Sequence, residues 1–236
     1  MAPAVAAAPD AGQRRAWRPG RAAKGALGIL AFLALWQISV PLVGLEPYFY
    51  PGPVDVWAAF LTLMEKGILP DYLLASLGRY TAGVAIGATL GVALGLTIGL
   101  SRFADRLLAP IISFMFAIVE VAWIPIFVIW FGYGLKTILI ALSYVVFFPV
   151  LYNTLVGIRA VPPVLVNAVR SLGATRRQLV TEVILPAALP NIITGFRVGA
   201  GFAFRGLVFA EIIAATSGIG YLIFQGAQNQ QTARTV

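Results

Sequence analysis

The stretch from Leu73 to Leu100, LLASLGRYTAGVAIGATLGVALGLTIGL, contains one charged residue, Arg79, in a run long enough to cross a bilayer as a helix. A glycine recurs every fourth residue, at Gly83, Gly87, Gly91, Gly95 and Gly99. On a helix these glycines form a slowly drifting stripe without side chains, against which another helix can pack closely. Two interpretations stay open: static close packing, or a helix that slides against its neighbour.

The composition of the whole chain indicates lipid rather than water as its solvent. Hydrophobic residues make up 60% and charged residues 11% of the 236 residues, and the mean hydropathy is +0.89, far from a soluble domain. The net charge of +8 does not indicate nucleic acid, because Lys and Arg lie mainly between apolar runs. The absence of Cys and His excludes disulfides, thiol nucleophiles, imidazole bases and the usual zinc or haem ligands.

Five apolar segments approach or exceed the roughly 20 residues that a membrane-spanning helix needs. We therefore predict an all-α, polytopic membrane protein with spans at residues 25–45, 73–100, 107–131, 135–158 and 190–215. Residues 1–24 are predicted to form a disordered basic tail. The first span is predicted to be an uncleaved anchor, since its apolar stretch is too long for a signal peptide and no small-residue cleavage site follows.

The distribution of basic residues predicts the orientation of these spans. Five precede the first span, two lie between the second and third spans, and four lie between the fourth and fifth, whereas the other side receives only Lys66 and Lys136. Cytoplasmic loops of membrane proteins are enriched in Lys and Arg. Eleven basic residues against two place the N-terminus in the cytoplasm.

The loop at residues 161–190 is too polar for a span and too patterned for an irregular connection. Pro162 and Pro163 are suited to begin a short helix, and Gly173 is predicted to end it. Thr175 followed by Gln178 forms a capping box that opens a second helix.

The second helix of this loop carries an apolar stripe of four residues. These are Leu179, Val180, Val183 and Ile184. An exposed apolar stripe is costly, so it predicts docking in the groove of a partner; a helix lying on the membrane surface stays open as the alternative. The pairs Leu185-Pro186 and Leu189-Pro190 are predicted to end this helix and begin the fifth span.

The same loop resembles the EAA loop of ABC importer permeases. Asn167-Ala168-Val169 stands where that family has Glu-Ala-Ala, Gly173 follows after three residues, and Val183-Ile-Leu-Pro186 follows after nine more. The run that begins at Ser171 is similar to permeases of the nitrate/sulfonate/taurine type. Three other segments agree with the resemblance, which covers roughly residues 25 to 230: Ser76 to Arg79 with the glycine stripe, Trp123 to Gly132, and Ala210 to Gly220.

The resemblance implies a type I ABC importer permease-like helical bundle, here residues 25–236, with a cytoplasmic coupling helix-turn-helix at 161–190. In that family the loop sits in a cleft of a cytoplasmic ATPase and transmits its ATP-driven closure. Asn167 replaces the family's leading Glu; an asparagine can form a hydrogen bond at this position but cannot carry the charge for an ionic contact. The coupling residues implied for this chain are Asn167, Ala168, Arg170, Gly173, Ala174, Thr175, Arg176, Gln178, Leu179, Leu185 and Pro186.

The resemblance also implies the partners and the location of the chain. These are a second permease copy in a homodimer, cytoplasmic ABC ATPase subunits, a periplasmic or lipid-anchored solute-binding protein, and the lipid of a bacterial plasma (inner) membrane. The implied solute is a small anion such as nitrate, a sulfonate or taurine. The sequence contains no GxxxxGK[ST] P-loop. We therefore expect no enzymatic activity and no cofactor in this chain, with ATP and Mg on the partner ATPase.

Four ionisable residues well inside predicted spans are candidates for the translocation pathway, because an unpaired charge is costly within a membrane; Arg197, nearer the cytoplasmic end of the fifth span, is set aside because its side chain can snorkel. They are Arg79, Glu120, Arg205 and Glu211. Arg79 or Arg205 would attract an anion; the alternative is a structural ion pair, for instance Glu120 with an arginine on a neighbouring span. Glu120 also departs from the family, which has a Pro-rich stretch at 117–120.

Two other classes of protein stay open from the sequence. A secondary transporter or channel without an ATPase would be expected to show an inverted repeat, and none is visible. A non-transporting scaffold is disfavoured by the intramembrane charges. Since relatives continue through another span after Gly220, we expect the final span to be missing from this sequence.

Overall fold

The computed structural model describes residues 19–44 and 49–228, and within these ranges every regular element is helical. The helices are α1 (Pro19–Val43), α2 (Pro53–Glu65), α3 (Ile68–Gly99), α4 (Arg102–Ala117), α5 (Ile124–Phe131), α6 (Leu135–Arg159), α7 (Pro163–Ser171), α8 (Arg176–Gln178), α9 (Leu185–Ala214) and α10 (Ile219–Gln228). A 3-10 turn (Glu120–Trp123) precedes α5, and a π-helical turn (Leu179–Ile184) joins α8 to α9. The prediction of an all-α fold is confirmed.

Helix α6 is the centre of the bundle, with α3 on one side and α9 on the other. Its residues Leu142, Val146 and Val150 are fully buried in a core that includes Val84 of α3 and Leu207 of α9. An apolar circumference alone does not set this place, because lipid can cover an apolar helix as well as protein can. Helix α6 is central because glycine faces of α3 and α9 pack on it.

The glycine stripe of α3 packs directly on α6, as predicted. A Cβ added at Gly87 would lie 2.5 Å from the Ser143 carbonyl oxygen, and one added at Gly91 would lie 2.9 Å from that of Phe147. On the other side of α6, a Cβ at Gly195 of α9 would lie 3.0 Å from the Pro149 carbonyl oxygen. Glycine faces thus bring three backbones together, which confirms close packing; sliding stays a prediction.

Four helical segments are long and apolar enough to cross a membrane, and a fifth crossing needs a bent pair of helices. The predicted third span, residues 107–131, is therefore not one helix: α4 and the segment from Glu120 to Phe131 meet at 92°. Ile118 and Val119 are extended, with ψ of 131° and 119°. Pro125 then stands in the first turn of α5, where its missing N–H costs nothing. The apolar run continues through the break, so hydropathy could not reveal it.

The first helix begins earlier than the sequence predicted. Helix α1 starts at Pro19, so residues 19–24, which we assigned to the disordered tail, are helical. The rest of that predicted tail, residues 1–18, lies outside the described residues. Helix α1 makes few contacts with the other helices. Its apolar side chains, such as Leu27 and Leu42, are exposed, as expected of a helix covered by lipid.

The second helix of the loop does not end at its prolines. From Arg176 to Ala214 the chain forms one helical segment of 39 residues, which passes through Pro186 and Pro190. Proline normally disrupts a helix because it lacks an N–H and clashes with the carbonyl four residues earlier. The π-helical turn at Leu179–Ile184 immediately before Pro186 widens the helix there and accommodates it. The prediction of a break was wrong.

Candidate functional site

Part of the loop at residues 161–190 is exposed. On α7, the side chains of Asn167, Ala168 and Arg170 are exposed, and Leu172 just after it is 87% exposed. Val164 and Leu165 of the same helix are exposed as well, and a group of exposed apolar side chains is typical of a surface that contacts a partner or a membrane. The predicted coupling residues of α7 therefore lie where a partner can reach them.

The turn between α7 and α8 has a defined backbone geometry. Gly173 adopts φ +82°, and its N–H donates to the Arg170 carbonyl over 3.0 Å. The N–H of Gln178 donates to the Thr175 hydroxyl, and the N–H of Thr175 donates to the Gln178 side-chain oxygen. The capping box and the glycine break are both confirmed, and together they fix the angle between the two helices.

The apolar stripe of the second helix is not free to dock on a partner. Leu179 and Ile184 are buried against Val161, with Leu100 and Ile158 around them. The expectation of partner docking through this stripe was wrong, because the ends of α3 and α6 already cover it. Leu185 is half-buried and Pro186 exposed, and Arg176 and Gln178 are exposed on the opposite face of the second helix. The surface offered to a partner is therefore α7, the turn and that face.

A second cluster of polar groups lies inside the membrane-spanning bundle. Glu211 of α9 is 0% exposed and forms an ion pair over 2.7 Å with Arg79 of α3, whose side chain is 13% exposed. The Ser76 hydroxyl donates to the same carboxylate over 2.8 Å. Two of the four pathway candidates are thus paired with each other, which favours a structural ion pair over a free anion site.

The turn after α9 wraps around this carboxylate. The N–H of Gly220 donates to Glu211 over 2.9 Å, and Arg79 donates to the carbonyl and hydroxyl of Ser217 over 2.6 and 2.7 Å. Gly218 has φ +111°, and a Cβ there would overlap the Glu211 carboxylate. Sequence analysis did not identify Ser76 and Ser217 as site residues. Both lie in segments quoted for the resemblance, but they are uncharged, and no regular spacing relates them to Glu211.

The other two candidates lie apart from this ion pair. Arg205 is exposed on α9, with its guanidinium carbon 5.9 Å from the centroid of the Phe202 ring. Glu120 is half-buried in the break between α4 and α5 and lines a cavity of about 260 Å³. Among the side chains that the structure describes, neither residue takes part in an ion pair.

Comparison with known proteins identifies the class to which this bundle belongs. Two ABC transporter structures share the fold: the inward-facing MetNI methionine ABC transporter (TM-score 0.56, 20% identity, covering 70% of this chain and 87% of that chain) and an amino acid ABC transporter with histidines (TM-score 0.52, 19% identity, 73% and 82%). At these identities the likeness shows the fold alone. The fold is that of a multi-pass ABC transporter permease.

Residues 87–236 match the family described as binding-protein-dependent transport system inner membrane component. The chain is 35% identical to the putative aliphatic sulfonates transport permease protein SsuC of Bacillus subtilis (91% of this chain, 79% of the relative). It is also 35% identical to the taurine transport system permease protein TauC of Escherichia coli (88% and 78%) and 40% identical to that organism's putative SsuC (86% and 77%). The chain belongs to this family of ABC importer permeases.

The family assignment bears on the alternatives left open by the sequence. The relatives are transport permeases rather than enzymes, so the chain is a transmembrane transport subunit of an ABC importer. A secondary transporter, a channel or a scaffold is not supported. The coupling loop and three of the four charged candidates lie within the matched residues, whereas Arg79 precedes them.

Proposed function

We propose that this chain forms, with a second copy of itself, the translocation pathway of an importer for a small anionic solute. ATP hydrolysis takes place in partner ATPase subunits, which act on the permease through residues 161–190. A solute-binding protein delivers the solute to the opposite face. The exposed Arg205 of α9 carries the proposal for the pathway, and the exposed surface of α7 carries the proposal for coupling.

The connection between the loop and the membrane supports coupling. The helical segment from Arg176 to Ala214 has no break, so a displacement of the loop is passed directly to the part of α9 that packs on α6. The buried cluster around Leu179 and Val161 attaches the loop to the ends of α6 and α3 as well. An ATPase that moved α7 would therefore move helices on both sides of the bundle.

The pathway is supported by an exposed stripe on α9. Arg197, Gly201 and Arg205 follow one another at intervals of four residues, so they share one face, and all three are exposed. A cation facing hydrocarbon is costly, which favours water or the second copy in front of this face. Arg79 cannot serve an anion in the same way, because Glu211 already compensates its charge.

Several of the relatives' names support an anionic solute. The names of the three described above refer to aliphatic sulfonates or taurine, and that of a 31% identical permease of Synechococcus elongatus refers to bicarbonate, whereas that of a 36% identical permease of Chloroflexus aurantiacus refers to riboflavin. An alkanesulfonate is therefore the first solute to test. The excess of basic residues on one side of the predicted spans supports a cytoplasmic N-terminus and loop.

The test is ATP-dependent uptake by the complete transporter in proteoliposomes, with wild-type chain and Arg205→Gln. We expect uptake of an alkanesulfonate to fall about tenfold or more in the variant, since a charge-assisted hydrogen bond contributes on this scale. Lys66→Gln removes an exposed charge just after α2 and serves as the matched control, with uptake unchanged. Uptake by Arg205→Gln equal to that by Lys66→Gln would contradict the role of Arg205, and lack of ATP-dependent uptake by the wild type would contradict the function itself.

A further inference from the structure

Two charges of opposite sign stay uncompensated well inside the membrane-spanning part of the described chain. Glu120 is half-buried at the break between α4 and α5, and Arg205 is exposed on α9. Among the side chains that the structure describes, neither forms an ion pair, whereas Arg79 and Glu211 compensate each other. Uncompensated charges within a membrane are costly and rare. Each of the two groups therefore favours a partner from outside this chain.

Glu120 and Arg205 lie at a similar depth in the bundle. Glu120 lines the cavity of about 260 Å³ together with Val145 of α6. Gly206, which follows Arg205 in α9, packs on the same residue: a Cβ added there would lie 3.2 Å from a Val145 methyl carbon. Both charges are thus about level with one residue of α6.

Both charges also lie where another molecule can reach them. Val119, next to Glu120, is 66% exposed. One turn before Arg205, a Cβ added at the exposed Gly201 would meet no atom within 4 Å, so the backbone of another helix can approach α9 closely there. Arg205 does not line the cavity of Glu120 within the single chain, so a meeting of these two residue types requires two copies.

A second copy supplies both missing counter-charges by symmetry. Two copies with the same orientation in a membrane are related by a twofold axis along the membrane normal, so every residue keeps its depth in the partner. An isologous interface then forms each contact twice. Opposite charges that meet across an interface also fix its register. A carboxylate and a guanidinium at one depth have the arrangement that such an interface needs.

We propose that Glu120 of each copy forms an ion pair with Arg205 of the partner subunit when the translocation pathway is closed. This inference rests on the proposed function and deepens it, because the solute and Glu120 then compete for the same guanidinium. An anionic solute favours the state in which the pair is broken, since a ligand shifts a conformational equilibrium by its difference in affinity for the two states. Glu120 thus holds the place of the anion until the pathway opens.

The first experiment is cross-linking, for which the absence of cysteine from the chain is an advantage. Two differently tagged copies, one with Glu120→Cys and one with Arg205→Cys, are co-expressed with the ATPase subunits and purified through both tags. The symmetry-related ion pair stays intact in this dimer. In nanodiscs, without nucleotide or solute, the complex is treated with a short bifunctional methanethiosulfonate that replaces the two lost side chains.

Arg197→Cys in place of Arg205→Cys is the matched control. Arg197 is exposed on the same helix but lies eight residues, about 12 Å, nearer the predicted cytoplasmic end. We expect about tenfold more covalent product carrying both tags from the Arg205 pair than from the Arg197 pair, because cross-linking requires close approach of the two cysteines.

A second measurement tests the competition with the solute. Glu120→Gln removes the competing carboxylate and keeps Arg205, so the complex should bind radiolabelled ethanesulfonate about tenfold more tightly than the wild type. Glu65→Gln neutralises an exposed carboxylate on α2 and should bind this probe as the wild type does.

Three outcomes would overturn the inference. Equal cross-linking of the Arg205 and Arg197 pairs would do so and leave the proposed function standing, and so would unchanged or weaker binding of ethanesulfonate by Glu120→Gln. Failure of two differently tagged wild-type copies to co-purify would overturn both the ion pair and the homodimer of the proposed function. Cross-linking is measured without transport, so a wild type without ATP-dependent uptake would contradict the proposed function alone.

Discussion

At the scale of single residues, Glu211 is the most constrained group in the chain. Its carboxylate accepts hydrogen bonds from Ser76, Arg79 and the backbone of Gly220, so α3, α9 and the first turn of α10 meet at one side chain. A buried ion pair contributes modest net stability, but removing one partner leaves an uncompensated charge. The pair therefore specifies how these segments fit together.

We expect Glu211→Gln to destabilise the protein by about 3–5 kcal/mol, since Arg79 would stay buried without its counter-charge. The midpoint of thermal unfolding of the detergent-purified complex reports the change, with Asp71→Asn, an exposed carboxylate on α3, as the matched control. The double variant Arg79→Gln with Glu211→Gln should lose less than the sum of the single variants, because the two side chains interact directly. Additive losses would argue against the ion pair.

At the scale of the elements, close packing of α3, α6 and α9 depends on backbone atoms rather than on large side chains. Five glycines of α3 face α6 at intervals of four residues, and Gly195 and Gly199 of α9 contact α6 from the other side. Without a hydrophobic driving force inside lipid, such close contact is a main source of attraction between helices. The packing of the bundle is therefore sensitive to a single added methyl group.

Gly87→Ala is expected to lower stability by about 1–3 kcal/mol, because its Cβ would lie 2.5 Å from the Ser143 carbonyl oxygen and α3 would have to move away from α6. Gly78→Ala on the same helix has no atom within 4 Å of its Cβ and should be neutral or stabilising, since alanine favours helix. Thermal unfolding of the two variants side by side tests the difference. Equal unfolding midpoints would show that the helices can separate at little cost.

At the scale of the whole molecule, the loop at 161–190 is the part of the chain that leaves the bundle to meet the expected ATPases. Its second helix is bound to the bundle through Leu179 and Ile184, and α7, the turn and the face of the second helix with Arg176 and Gln178 are exposed. The angle between the two helices depends on Gly173, whose φ of +82° a proline cannot adopt.

Gly173→Pro is expected to reduce ATP-dependent uptake to background while membrane insertion stays intact, because the loop would no longer fit the ATPase. Gly67→Pro is the matched control: Gly67 also has positive φ and donates a backbone hydrogen bond, to Met64, but it lies at the other end of α3. Co-purification of the ATPase and uptake are measured for both variants. Normal ATPase association and uptake in Gly173→Pro would contradict the coupling role.

The sequence by itself determined what depends on local pattern and on composition. The lipid-embedded all-α class, the glycine stripe, the capping box at Thr175 and Gln178 and the family all follow from residue type and spacing, since hydropathy and helical period are properties of neighbouring residues. The fourth span was placed within one residue of α6, whereas α1 and α3 begin five or six residues earlier than predicted, the third span is two helices, and the fifth belongs to a continuous segment from Arg176 to Ala214.

Only the tertiary structure decided which charged residues form ion pairs. Arg79 and Glu211 are more than 130 positions apart, and a periodic pattern in the sequence relates only residues that are close along the chain. The tertiary structure also decided what covers the apolar stripe at Leu179 and Ile184. The sequence predicted that a partner would bind it, but other residues of this chain bury it. The 92° bend at Glu120 also escaped prediction, since an apolar run has the same hydropathy whether or not its helix is broken. Residues on both sides of that bend, Phe116 and Glu120, line the same cavity, and hydropathy could not bring them together.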